Sequence, residues 1–223
     1  MKTIRLYFFL FVLCFCNSLF AQKESSNRLL FPYFEKGIII FKTEVCSPAL
    51  LNYDMLEQNM VFMEADSSIF SINNHREILA VVIGERRFLP ISSKGIFYEE
   101  IQTGKGSFFV NRSAHMFSEG KEAAYGGYSQ TSSVTSYGSW RDNMGTSVTL
   151  NTNEKFKLEI NYFYYLKSGN RYKRFFSAKT LGKLFKGHES EIKEFANEQS
   201  INFAKTDDVA RIVEYGYSLI SNP

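Results

Sequence analysis

Few residues of this chain have types and spacing that could carry a reaction. The three histidines, His75, His115 and His188, are far apart, and none belongs to an H-E-x-x-H pair that would present two zinc ligands from one helix face. Glu99-Glu100 is a carboxylate pair of the kind that invites acid–base chemistry. Neighbours on a strand point to opposite faces, however, so the two cannot flank one glycosidic bond. Gly104-Lys105-Gly106 lacks the strand-loop-helix setting of a phosphate loop and reads as a hairpin turn. Cys46 has no histidine beside it to act as base, and no G-x-S-x-G elbow occurs. Set between Val45 and Pro48, it reads as a buried, inert thiol. Asn111-Arg112-Ser113 matches a glycosylation acceptor, a pattern too common to carry weight. These residues imply no catalytic or metal site and no cofactor.

Binding chemistry is better represented. The stretch from Ser118 to Gly145 is rich in Gly, Ser, Thr and Tyr and carries Tyr125, Tyr128, Tyr137 and the only tryptophan, Trp140. Loops beyond about 12–15 residues are uncommon in compact domains and tend to be functional or disordered, and Tyr and Trp offer flat apolar faces with a polar tip. These four side chains are the candidate ligand-binding residues, against the simpler reading of a mobile loop or a poorly patterned hairpin around Gln130–Tyr137. A second candidate is the acid-free basic run Lys167, Arg171, Lys173, Arg174, Lys179, Lys183 and Lys186, followed by the acid-rich stretch His188–Asp208. Such a run could meet anionic lipid or polysaccharide, although adjacent opposite charges more simply neutralise one another on a solvated surface.

Whatever this chemistry is, the chain is addressed outward. Lys2 and Arg5 precede the unbroken apolar run Leu6–Cys16, and Asn17 to Ala21 form a polar, small-ended exit, the three zones of a secretory signal peptide. The apolar run reaches about 16 Å as a helix, against about 30 Å of bilayer hydrocarbon, so it is too short to serve as an anchor. Cys14 and Cys16 lack the small-residue context of a lipid-modified cysteine. Cleavage after Ala21 leaves Cys46 as the one thiol, so no internal disulfide can form. Removing Lys2 and Arg5 from a chain of formal charge +3 leaves it near neutral, which argues against nucleic acid as a partner. The expectation is an exported protein of the periplasm or outer envelope, with no stable transmembrane anchor after cleavage.

From Gly37 to Val110 short apolar runs rich in β-branched and aromatic residues alternate with Asp66-Ser67, Asn73-Asn74, Gly84-Glu85 and Gly104-Lys105-Gly106, the mark of antiparallel strands joined by tight turns. Connections this short cannot make parallel crossovers. The clean alternation of Phe156, Leu158, Ile160, Tyr162 and Tyr164, turned back at Ser168-Gly169-Asn170 into Arg171–Phe176, predicts a further hairpin. The period then changes to about 3.6: Ala178, Leu181, Leu184 and Phe185; Ile192, Phe195, Ala196 and Gln199; Val209, Ile212, Val213 and Gly216. Ser177 is placed to cap the first of these three short helices. The fold class is therefore α+β and predominantly antiparallel β, as a meander sheet, sandwich or open barrel, with a short C-terminal helical segment. The chain divides into a signal peptide at 1–21, a β domain at 22–176 with a long loop at 118–145, and helices at 177–223 that pack on the sheet. Those helices are expected to cover Met60–Met63 and Leu79–Ile83, runs that are apolar on both faces.

Leu50-Leu51-Asn52-Tyr53-Asp54 before Asn59-Met60-Val61-Phe62, then Val82-Ile83-Gly84-Glu85-Arg86-Arg87-Phe88-Leu89-Pro90, Phe97-Tyr98-Glu99-Glu100-Ile101 and the ending Phe176 to Asn202 with Ile201-Asn202-Phe203 resemble an uncharacterised group of exported β-rich envelope proteins of Gram-negative bacteria. The resemblance covers most of residues 37–220. It implies an envelope location and transfers no catalytic residue. The function expected from the whole is a non-catalytic binding or envelope-interaction module with an envelope protein or glycan as partner. The alternatives are a periplasmic hydrolase whose site is assembled from distant residues, and a structural component of a cell-surface complex.

Overall fold

The computed structural model describes residues 28–91, 95–118, 121–122, 128–129 and 156–221. Among these described residues, twelve strands and three helices follow in the order β1 (Glu35–Phe41), β2 (Cys46–Asp54), β3 (Asn59–Met63), β4 (Ile69–Ser71), β5 (Ile78–Ile83), β6 (Arg86–Pro90), β7 (Phe97–Gln102), β8 (Ser107–Ser118), β9 (Lys121–Glu122), β10 (Tyr128–Ser129), β11 (Phe156–Ser168), β12 (Arg171–Phe175), α1 (Ala178–Gly182), α2 (Glu189–Glu198) and α3 (Thr206–Ser221). Ten strands form one open antiparallel sheet in the order β12-β11-β8-β7-β6-β5-β1-β2-β3-β4, and β9 pairs with β10. The protein is thus α+β and mostly antiparallel, as the turn spacing predicts.

The sheet is not one continuous meander. After the edge strand β4 the chain returns to lay β5 beside β1, on the side away from β2, so two meanders grow outward from β1. The return at residues 72–77 is tied down at both ends. Ile72 N donates to Met60 O at 3.0 Å, Asn59 Nδ2 to Ile72 O at 3.1 Å, and Lys42 N to Glu77 O at 2.8 Å.

The sheet also curls. Tyr53 on β2 and Phe97 on β7 stand four strands apart, about 19 Å on a flat sheet, yet Tyr53 Oη donates toward the carbonyls of Phe97 (3.2 Å) and Arg112 (3.0 Å). The turn after β2 joins in, with Phe97 N donating to Gln58 O and Ala114 N to Met55 O. Inside the curl lies an apolar core that includes Leu51, Tyr53, Met60, Val81, Ile83, Phe88 and Phe97. A second core fills the space between β8, β11 and β12 and the helices, where Phe108, Val110, Tyr164, Leu166 and Phe175 meet Leu181, Phe185, Ile192, Val209, Ile212 and Val213. A fully buried side chain of this kind contributes about 1.5–3 kcal/mol.

Local chemistry sets the helices. Ser177 caps α1 and closes a reciprocal capping box with Thr180, and Asp207 and Asp208 occupy the first turn of α3, where the dipole favours negative charge. Gly216 lets Phe185 sit against α3, since a methyl there would lie 2.6 Å from the ring.

Three expectations need correction. The helices cover β8, β11 and β12 rather than β3 and β5, and Leu79 is left 48% exposed. Cys46 opens β2 and is exposed, because β2 begins before β3 reaches it: the pairing with β3 starts only at Leu50. The segment 118–145 is also not wholly loop, because Lys121–Glu122 and Tyr128–Ser129 pair as a short ladder.

Candidate functional site

Two polar constellations occupy opposite faces of the sheet, and Glu99 and Glu100 divide between them as strand geometry requires. On the inner face, Glu99 (3% exposed) accepts two bonds from Arg86, Nε at 2.6 Å and Nη2 at 2.8 Å, and a third from Arg112 Nη1. Arg86 lies over the rings of Phe31 (4.8 Å) and Phe88 (5.6 Å), and Arg112 near that of Tyr162 (5.7 Å). Burial, and next the charge of Arg86, push the Arg112 guanidinium down to about 10. Arg112 follows Phe108 and Val110 of the second core on one face of β8 and precedes Ala114 of the first, so this cluster joins the two cores. Both carboxylate oxygens are held by guanidinium groups. The cluster is a structural joint with little capacity left for a ligand.

The outer face is open. A row of directly opposed residues crosses five strands: Arg87 on β6, Glu100 on β7, Phe109 on β8, Tyr165 on β11 and Arg174 on β12. Arg87 Nη1 donates to Glu100 Oε2 at 2.5 Å. Beside the row, Tyr98 stacks on Tyr165 with centroids 4.8 Å apart, and Tyr172 stands edge-on to Phe109 at 4.9 Å. Arg174 caps the Phe163 ring at 4.2 Å. Burial, and next the nearby Glu100 charge, raise the Tyr172 phenol, while burial and then the Tyr165 hydroxyl raise that of Tyr98.

Along this face runs a groove of about 910 Å³, within the usual size range of small-ligand sites. Its charged lining is Lys42, Arg76, Arg87 and Lys167 against the single carboxylate Glu100, with His75 and Ser107 adding polar groups. The apolar lining is Ile78, Leu79, Leu89, Pro90, Ile91, Phe109 and Tyr172. Lys42, Arg76 and Lys167 are exposed and form no ion pair with another described residue. His75 and Arg76 are presented by the return connection, where Glu77 N donates to Asn74 O and Ile78 N to His75 O. Gly95, at φ 76°, lets the His75 ring approach, since a methyl would meet Nδ1 at 2.6 Å. Among the described residues no group of three or more His, Cys, Asp or Glu side chains is placed to hold a metal ion.

Of the aromatic candidates from the sequence, Tyr128 lies in β10, and Tyr125, Tyr137 and Trp140 fall outside the described residues. The basic run divides. Lys167 and Arg174 belong to the outer face, Lys173 opposes Leu166 of the second core, and Lys179, Lys183 and Lys186 sit on or just after α1. The groove was hidden in the sequence because it gathers residues from widely separated segments, each of which alone reads as a solvated charge. The one signal available was the paired, opposed character of Arg87 and Glu100 on flanking hairpin strands.

No protein-family model, curated protein or solved structure matches this chain.

Proposed function

We propose that this chain is an exported, non-catalytic binding module of the cell envelope that takes an anionic ligand into the outer groove. The observation that carries the reading is the charge of the lining, four cations against one carboxylate that is already bonded to Arg87. Cations set beside apolar walls attract an anion more strongly than they would on a flat wetted surface, because the low-dielectric walls focus the field. The charged leader in the sequence and the resemblance to exported envelope proteins support the location. Among the described residues no helix is long and apolar enough to cross a membrane.

The hydrolytic alternative has one observation in its favour, since His75, Ser107 and Glu100 all line the groove. The bond from Arg87 occupies Glu100 and favours binding over acid–base work. Titration calorimetry of the mature chain with citrate, inorganic phosphate and oligogalacturonate tests the proposal, with Arg76→Glu and Lys167→Glu as variants on exposed positions. The expected result is binding that weakens with added salt and falls about tenfold per charge reversal, the worth of one charge-assisted contact. Absence of binding to every anion, or binding indifferent to both variants, overturns it. Turnover of a bound glycan that Ser107→Ala abolishes would move the protein to the hydrolase class.

A further inference from the structure

Resting on the anion-binding reading, we propose that the groove's ligand is an extended acidic polysaccharide lying across the strands, rather than a small anion. The spacing of the charges carries this. Lys42 follows β1, Arg87 is on β6 and Lys167 on β11, and all three line the same groove. In sheet order Lys42 and Lys167 are separated by β5, β6, β7 and β8, five interstrand steps or about 24 Å along the curved surface at about 4.8 Å each. No single phosphate or carboxylate touches both ends. A chain bearing a negative charge on successive units does, and it gains from each contact because later ones form within an already bound molecule.

The lining between the charges fits sugar better than lipid or nucleic acid. Tyr172, half-buried and held edge-on by Phe109, offers a fixed face with a polar tip, suited to the flat C–H face and hydroxyl rim of a pyranose. Among the groove-lining residues the aromatic ones are Tyr172 and the buried Phe109, short of the succession of exposed stacking platforms that single-stranded nucleic acid uses. The remaining walls, Leu89, Pro90 and Ile91 among them, border a groove that is open to solvent along the sheet face, whereas an acyl chain favours an enclosed apolar site.

The test is a length series of oligogalacturonates, from the monomer to chains of about eight units, titrated into the mature protein, its Lys42→Glu and Lys167→Glu variants and their double variant. Thermal melting checks that these exposed substitutions leave the fold intact. Affinity is expected to climb with chain length and then level off. Each single variant should lose about tenfold on long chains, while Lys42→Glu and Lys167→Glu should not both affect the monomer, which can reach only one end. Equal affinity for monomer and long chains overturns the extended-ligand inference and leaves the anion site standing. No binding at any length, together with no binding of phosphate or citrate, overturns the anion site itself. Tighter binding of a single-stranded oligonucleotide, or of phosphatidylglycerol vesicles, at equal charge overturns the saccharide assignment.

Discussion

Glu99→Gln should be among the most damaging single changes in this protein. The substitution keeps size and shape but removes the one negative charge that two guanidinium groups share, and it turns an amide toward donors that need an acceptor. Arg112 is the more enclosed partner, its side chain 9% exposed against 32% for Arg86. Burial first, and then the neighbouring Arg86 charge, lower the Arg112 pKa, and the repulsion between the two guanidinium groups rises once Glu99 is neutral. Removing one member of a buried ion pair costs about 3–5 kcal/mol. Arg86 keeps some water, which places the expected loss near the lower end, at about 3 kcal/mol. At an m-value of roughly 2–3 kcal/mol/M in urea, the unfolding midpoint should fall by about 1–1.5 M, measured by far-ultraviolet circular dichroism and tyrosine fluorescence together. Adding Arg112→Met to Glu99→Gln should recover part of the loss, because it removes the stranded cation; this coupling is what a double-mutant cycle reads. A Glu99→Gln loss below about 0.5 kcal/mol, the range of ordinary surface sites, would refute the idea that this cluster joins the two cores.

At high pH the fold should weaken. Tyr53, Tyr98, Tyr164, Tyr172 and Tyr217 all have raised pKa values, burial being the first cause in each. Their stabilisation is complete below the ordinary phenol value near 10 and is lost as pH rises from there through the folded values. Arg112, lowered to about 10, and Arg86, also lowered by burial, act in the opposite sense but are two groups against five. Phenolate absorbance and circular dichroism should therefore change together above pH 10, and independent phenol titration of an intact fold would contradict this. Gly216→Ala should destabilise by about 1–2 kcal/mol, the overpacking against Phe185 exceeding the gain in helix propensity, as read by urea unfolding; a stabilised variant would show that α3 and Phe185 are not in close contact. If the proposed export holds, intact mass of the secreted fraction should correspond to cleavage near Ala21, whereas recovery of the 25.7 kDa chain in the membrane fraction would point to an anchored protein.

The elements that follow a simple period were legible from the residues. The apolar run Leu79–Ile83 lies in the strand Ile78–Ile83, and the stripe Val209, Ile212 and Val213 is buried at 0% exposure. The strand β8 was readable only to Val110, because Asn111, Arg112 and Ser113, all buried, break the apolar alternation. The burial of Arg112 depends on its ion pair with Glu99, which local sequence does not reveal. Pro48 hid the start of β2, since proline reads as a strand breaker, yet at Pro48 only β1 is paired with β2. The return that sets β5 beside β1 was invisible because its connection is as short as a hairpin loop. The site was the least legible part. Opposite faces for Glu99 and Glu100 followed from the pleat, but the meeting of Lys42, Arg76, Arg87 and Lys167 depends on that return and on the sheet order.

The most direct measurement is amide chemical-shift mapping of the mature protein during titration with an acidic oligosaccharide. Binding in the outer groove predicts shifts concentrated at Lys42, His75, Arg76, Arg87, Leu89, Lys167 and Tyr172, with the α1 to α3 amides unmoved. Shifts centred on Lys179, Lys183 and Lys186, or no shifts at ligand concentrations that saturate other acidic-glycan binders, would contradict the account.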